Sequence, residues 1–270
     1  MHPQTLLQRY GLSPKKSLGQ NFLFDDQLLA GIVAAGEVSQ ATPVLEVGPG
    51  LGALTRHLAW AAPQVVAVEL DDRLLPVLAD ELATFPNVKI VHGDILEQDP
   101  ADWFETSGYV VVANVPYYIT GAILRHLLSG EVQPRRMVLT VQKEVAERLV
   151  AEPPQMSLLA VSVQYYGQVS KVQTLKAGAF WPRPDVDSAI IRIDIERKGL
   201  VVREEEEGFF RVVKVGFSQK RKQLQKNLRQ LGVERAKIKE ALAAAGVEGK
   251  RRAETLTVAE WVALYKELKG

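Results

Sequence analysis

Apolar residues in the first two thirds of the chain gather in short runs, at 43–47, 64–68, 88–91, 109–113 and 137–141, broken only by Glu46, Gln64, Lys89 and Thr140. Blocks of four or five residues without alternation suit strands buried on both faces. Between the earlier blocks, 51–61 and 71–83 carry apolar residues at helical spacing. Strands alternating with helices predict a parallel, doubly wound sheet covered on both sides. Two more strand-like runs, 169–175 and 188–195, follow closely on one another. The second alternates Ile191, Ile193 and Ile195 with Arg192, Asp194 and Glu196. That is the pattern of an edge strand with one wet face, so an antiparallel pair is expected to end the sheet.

After Arg197-Lys198-Gly199 the texture changes to helical periods. Leu224, Leu228 and Leu231 fit one helix, Ile238, Ala241 and Leu242 a second, and Val258, Val262 and Tyr265 a third. Thr257 and Glu260 stand at the two positions of a capping box before that last helix. The expected organisation is an α/β, Rossmann-like domain over 1–198 and a small all-helical domain over 199–270.

Composition narrows the classes. The 270 residues are 47% hydrophobic and 24% charged, a normal balance for a globular protein with a sizeable core. With no cysteine, disulfides, thiolate metal sites and cysteine nucleophiles are excluded, and no metal site is expected. No apolar run approaches a membrane span, and Arg9, Lys15 and Lys16 are not followed by the apolar stretch of a signal peptide. No membrane partner and a cytoplasmic location are expected.

Chemistry gathers at the strand ends. Val44-Leu45-Glu46-Val47-Gly48-Pro49-Gly50-Leu51-Gly52 runs a buried strand into glycines and then opens a helix. Glycine lets the backbone turn tightly and approach a ligand where a Cβ would collide. The next strand ends in Glu69, about 20 residues on, where a carboxylate can accept from both hydroxyls of a ribose. The third ends in His92-Gly93-Asp94, whose carboxylate can accept from an adenine amino group. Singly, each has a plainer reading as a turn or a helix cap. Together they indicate an adenosine-containing cofactor, without separating a nicotinamide dinucleotide from S-adenosylmethionine.

The fourth strand delivers Asn114-Val115-Pro116-Tyr117, which does separate them. The lone pair of an adenine amino group is delocalised into the ring. Accepting hydrogen bonds from its two N–H groups draws the nitrogen toward sp3 geometry and holds it in line with a methyl donor. The Asn114 side-chain oxygen and the Val115 carbonyl can be the two acceptors, Pro116 fixes the backbone between them, and Tyr117 offers a flat face for the base. A strand-to-helix turn with a core tyrosine is the plainer alternative.

The net charge is only +1, yet it hides a one-sided run. Between Gly208 and Arg229 stand Arg211, Lys214, Lys220, Arg221, Lys222, Lys226 and Arg229 with no acidic residue, and Phe217, Gln219, Gln223 and Gln225 lie among them. A solvated helix face normally mixes its signs; a one-sided run favours a phosphate backbone.

Asn114-Val115-Pro116-Tyr117 resembles the motif of amino-methylating adenine methyltransferases, and nearly the whole chain resembles the rRNA adenine N6,N6-dimethyltransferase family. Lys16-Ser17-Leu18-Gly19-Gln20-Asn21-Phe22-Leu23 is similar to that family's N-terminal motif, which implies that Asn21 and Leu23 touch S-adenosylmethionine. The same resemblance implies that Gly48, Glu69, Asp94 and Asn114 complete the pocket. Phe180-Trp181-Pro182-Arg183-Pro184-Asp185-Val186-Asp187-Ser188 matches a further family segment, implying that Phe180 clamps a flipped adenine against Tyr117, although an aromatic there suits the core equally well.

Phe217-Ser218-Gln219-Lys220-Arg221-Lys222 and the stretch from Lys250 through Trp261 resemble the small-subunit branch, known for the methylase whose loss gives kasugamycin resistance. The resemblance implies dimethylation of two adjacent adenosines near the 3′ end of 16S rRNA, within a pre-30S particle, by a monomer. Lys220, Arg221, Lys222, Lys226 and Arg229 are the expected RNA contacts. The rivals are large-subunit rRNA methylation, an inactive assembly factor on this fold, and a nicotinamide oxidoreductase. The last lacks a hydride-side catalytic group, since His2, His57, His92 and His126 fall in no motif and His57 and His126 fall on expected helices.

Overall fold

The computed structural model describes residues 1–116, 119–196 and 200–270. The chain divides into two compact units, one of residues 1–146 and 168–195 and one of 147–167 and 196–270.

The first unit opens with α1 (Pro3–Arg9), β1 (Phe22–Leu23) and α2 (Asp26–Ala35). It continues through β2 (Val44–Val47), α3 (Ala53–Ala61), β3 (Val65–Glu69), α4 (Leu75–Glu81), β4 (Val88–His92), β5 (Val110–Asn114), α5 (Thr120–Ser129) and β6 (Arg136–Gln142). After α6 (Lys143–Leu149) and α7 (Leu158–Gln164), the strands β7 (Gly167–Leu175), β8 (Phe180–Trp181) and β9 (Ser188–Ile195) finish the sheets. Seven strands are ordered β4-β3-β2-β5-β6-β9-β7. The pairs β2–β3, β3–β4, β2–β5 and β5–β6 are parallel, and β6–β9 is antiparallel. The mainly apolar runs form the central strands: every residue of β2 and β3, and β5 as far as Ala113, is buried. Helices cover the faces with residues at helical spacing, as α3 does with Leu54, Leu58 and Ala59.

Chain order reverses direction between β2 and β5, since β2, β3 and β4 proceed outward one way and β5 and β6 the other. A ligand crevice opens at the carboxyl ends of strands at such a switch point.

Three expectations are corrected here. β4 is an edge strand with Lys89 and His92 exposed, whereas its apolar block had suggested full burial. β9 is interior, between β6 and β7, and β7 is the edge. The alternating charges of β9 are half-buried and paired: Arg192 donates to Asp194 at 2.7 Å and to Glu37 at 2.7 Å, and Arg136 donates to Asp194 at 2.5 Å. Lastly, the expected helix over 71–83 splits into a tight turn at Asp72–Leu74, capped by Asp71, and α4 with Pro76 in its first turn.

The second unit is helical: α7, α8 (Glu206–Gly216), α9 (Leu224–Asn227), α10 (Arg235–Ala244) and α11 (Val258–Lys269). The boundary expected at 198 falls at residues 197–199, outside those described. Unforeseen was the grouping of 147–167 with the C-terminal helices. The Tyr165 ring stacks on Phe209 at 4.7 Å, the Tyr166 hydroxyl donates to Glu206 at 3.0 Å, and the Met156 N–H donates to the Glu254 carbonyl at 3.0 Å. The capping box is present: the Glu260 N–H donates to Thr257 Oγ1 at 3.1 Å and the Thr257 N–H to Glu260 Oε2 at 2.8 Å. No helix among the described residues is long and apolar enough to cross a membrane.

Candidate functional site

At the switch point the first unit holds an open cleft, bordered by the strand ends and by the N-terminal segment. Asn21, Leu23, Gly48, Glu69, Asp94 and Asn114, scattered over the first 114 residues, all line it. The glycine loop follows β2 with φ of +71° at Gly48, +59° at Gly50 and +77° at Gly52. L-residues avoid that region, and a Cβ on Gly50 would also lie 3.0 Å from the Phe22 ring. The loop is thereby pressed against the N-terminal segment. Glu69 Oε2 accepts from the Gly50 N–H at 3.0 Å and Oε1 from the Asp71 N–H at 2.8 Å. Burial raises its carboxyl above the ordinary range, and the two backbone donors work against that rise. A carboxylate so clamped still has lone pairs for a ligand's hydroxyls. Asp94 Oδ1 caps the turn after β4, accepting from the Leu96 N–H at 2.9 Å. The plainer reading therefore holds for one of its oxygens, while the residue itself borders the cleft.

Asn114 ends β5 between β2 and β6, and its Nδ2 donates to the Asn21 carbonyl at 3.0 Å. The partner is an acceptor, so the amide nitrogen must be the end engaged; the oxygen is the end left to accept. Val115 and Pro116 line the same corner, with Val115 buried. Tyr117 lies outside the described residues. Phe180 does not border the cleft: it faces Leu23 across the β1–β8 ribbon and is 3% exposed, packed with Leu29 and Ile190. The structure thus places it beside Leu23, which does border the cleft. His57 and His126 lie on α3 and α5, and neither borders the cleft.

A ribosomal RNA adenine dimethylase family model matches residues 11–270. The chain belongs to that family. It is 45% identical to ribosomal RNA small subunit methyltransferase A of Geobacillus thermodenitrificans, over 97% of this chain and 94% of the relative. It is 43% identical to the protein of that name from Dehalococcoides mccartyi, over 95% and 89%. Among solved structures, the 23S rRNA methyltransferase ErmE is 30% identical with a TM-score of 0.74, covering 93% of this chain and 100% of that one. A dimethyladenosine transferase from Plasmodium falciparum, 24% identical with a TM-score of 0.78 over 90% and 95%, shares the fold.

Two features of this dimethylase-family cleft escaped the sequence reading. Asp71, two residues past Glu69 and buried, accepts from Gln20 Nε2 at 2.7 Å and from Arg73 Nε and Nη2 at 2.8 and 2.6 Å. The Arg73 guanidinium holds its carboxyl down at about 2. Asp71 thus ties the N-terminal segment to the Glu69 loop. Glu46, inside β2, lines the cleft at 1% exposure. An acid within a strand and a glutamine within a loop carry no periodic signal; only the third dimension brings them to the cleft.

In the family's helical unit, Arg211, Lys214, Lys220, Arg221, Lys222, Lys226 and Arg229 are all exposed. Lys220, Arg221 and Lys222 stand on the turn between α8 and α9. Phe217, by contrast, packs on Trp261 at 5.6 Å and belongs to the unit's core. Asn227, 2% exposed, donates from Nδ2 to the Gly216 carbonyl at 2.6 Å and the Gln219 carbonyl at 3.2 Å, bracketing the start of that turn.

Proposed function

We propose that the protein uses S-adenosylmethionine to dimethylate N6 of two adjacent adenosines near the 3′ end of 16S rRNA, acting as a cytoplasmic monomer on a partly assembled small subunit. The observation that carries the reading is the Asn114 amide, anchored through nitrogen to Asn21 with its oxygen left as the acceptor, beside Val115 and Pro116 in a cleft with Glu69. The cleft fits the cofactor: positive-φ glycines bring bare backbone to its floor, and Glu69 is clamped with lone pairs to spare. Glu69 would hold the ribose, Asp94 the adenine ring, and Asn21, Leu23 and Gly48 the remainder. Once bound, the cofactor supplies an electrophilic methyl carbon.

The chain's own work is positioning. Asn114 Oδ1 and the Val115 carbonyl grip the two N–H bonds of the substrate amine and localise its lone pair, and Pro116 stiffens the backbone between them. No strong base is required, because the proton leaves after the nitrogen has become cationic. Tyr117 is the proposed stacking face, and Phe180, paired with the cleft-lining Leu23 across the β1–β8 ribbon, is proposed to clamp the base from the other side. Lys220, Arg221, Lys222, Lys226 and Arg229 are the proposed phosphate contacts. The target adenosine leaves its stack to react, at least cost from a loop.

Small-subunit RNA is favoured over large-subunit RNA by identities of 43–45% to small-subunit relatives against 30% to the 23S enzyme. An inactive assembly factor would have no need of the anchored Asn114. The test is to incubate the protein with tritiated S-adenosylmethionine and undermethylated small subunits, digest the RNA and separate the nucleosides. Labelled dimethyladenosine from the small-subunit RNA is expected; no label in that RNA, alongside label in large-subunit RNA offered in a parallel incubation or in neither, refutes the reading.

A further inference from the structure

Asp187, the residue before β9, takes no part in the chemistry described so far, yet it closes the segment that carries Phe180. Its Oδ1 accepts from the Ala177 N–H at 3.0 Å, ten residues back, and its Oδ2 accepts from Lys176 Nζ at 3.0 Å. Its carbonyl accepts from the Lys143 N–H at 3.0 Å, just past the end of β6. One residue thus joins the two ends of the segment between β7 and β9 and fastens them to the central sheet.

Ala177 opens the tight turn Ala177–Ala179 that leads into β8. The first N–H groups of a helical turn need acceptors from outside it, and Lys176, at the capping position, has no acceptor in its side chain. Asp187 supplies that acceptor from across the segment. The carbonyl of the same Ala177 accepts from the Phe180 N–H. Asp187 therefore stands two hydrogen bonds from Phe180, with buried Ala177 as the link. Phe180 in turn pairs with Leu23, which lines the cleft.

The two bonds of the carboxylate differ in what they hold. The Lys176 ammonium first, and the Ala177 N–H after it, keep the carboxyl below its ordinary range. The Lys176 side chain is 84% exposed, however, and an ion pair in water restrains a loop only weakly. The bond to Ala177 is directional and part-buried. We propose that Asp187 is a positioning residue for the base clamp: its bond to the Ala177 N–H holds the turn that sets Phe180 in place, and its charge is incidental. The proposal rests on the reading in which Phe180 clamps the target adenine. Without the bond the segment samples other placements, and only the fraction with Phe180 in place is competent to react. One part-buried hydrogen bond lost corresponds to about two- to twelvefold in that fraction.

The test is single-turnover methyl transfer by the full-length protein to undermethylated small subunits, with S-adenosylmethionine and subunits both saturating. Asp187→Asn keeps an oxygen at the Ala177 N–H and loses the charge; Asp187→Glu keeps the charge and moves it one methylene away. The asparagine variant should transfer at close to the wild-type rate and the glutamate variant about two- to twelvefold more slowly. A glutamate variant as fast as wild type, or an asparagine variant as slow as the glutamate one, overturns the proposal. Phe180→Leu keeps the core filled and removes the ring. In that background Asp187→Glu should slow transfer no further, and a fully multiplicative loss shows that Asp187 acts elsewhere, which also overturns the proposal. Phe180→Leu transferring as wild type defeats the clamp reading itself; a slow Phe180→Leu beside a silent Asp187→Glu defeats only the role of Asp187. Should Asp187→Glu fail to fold, Lys176→Ala decides together with Asp187→Asn. Both should transfer as wild type does, and slowing in either shows that the ion pair holds the turn and refutes the assignment.

Discussion

Asn114→Ala should separate two losses that a merely structural residue would not separate. Among the described residues the side chain makes one hydrogen bond, from Nδ2 to the Asn21 carbonyl at 3.0 Å, and Asn21 borders the cleft. Losing one neutral, part-buried bond of this kind costs about 0.5–1.5 kcal/mol, which corresponds to about two- to twelvefold in cofactor affinity. The oxygen end is different in kind, because its bond to the substrate amine strengthens as positive charge develops on nitrogen. Removing one preorganised group that stabilises a transition state costs about 2.7–4 kcal/mol, about 10²–10³ in rate. Calorimetry with S-adenosylmethionine gives the first quantity. Single-turnover methyl transfer to undermethylated small subunits, with cofactor saturating, gives the second. If the transfer rate at saturation fell no further than the affinity, Asn114 would be a cofactor ligand only, and the acceptor role would be wrong.

Three other outcomes are expected. Replacing Lys220, Arg221 and Lys222 together by glutamate should weaken RNA binding and lower the slope of log affinity against log salt by about two to three, leaving calorimetric cofactor binding unchanged; an unaltered slope removes the turn from the interface. Gly216→Ala should destabilise the helical unit by about 1–3 kcal/mol in denaturant unfolding. Its Cβ would lie 2.3 Å from Cη2 of Trp261, which has no exposure, and Trp261→Phe should recover part of that loss. Asp71 is held below its ordinary carboxyl range, at about 2 against 3.8, so it favours the fold while ionised. Its contribution is complete above about pH 4 and is lost as the pH falls toward 2, so acid unfolding followed by circular dichroism should be less steep in Asp71→Asn across that window.

The sequence disclosed the central sheet because β2, β3 and β5 are buried on both faces and so show no alternation. It misplaced the edges because a string of residues does not say who lies beside a strand. Ile191, Ile193 and Ile195 alternate with charges in β9, and the wet face inferred from that was an ion-pair network with Arg136 and Glu37. The site was legible where one residue type has few alternatives, as at the glycines after β2 and at Asn114-Val115-Pro116. It was illegible where function depends on long-range company. Gln20 meets Asp71 across 51 residues, Glu46 has the spacing of any strand residue, and Phe180 pairs with Leu23 across 157 residues of chain. The affiliation of 147–167 depends on aromatic contacts such as Tyr165 on Phe209, which join segments far apart in the chain.

The Asn227 amide has a consequence for how the basic turn greets a polyanion. Three adjacent cations repel one another, and a free loop would splay to separate them. By clasping the carbonyls of Gly216 and Gln219 from beneath, a neutral buried side chain restrains the backbone entering Lys220, Arg221 and Lys222 without neutralising them. For the proposed RNA contact the turn is preorganised: its charge density is already in place, and less chain entropy would be forfeited.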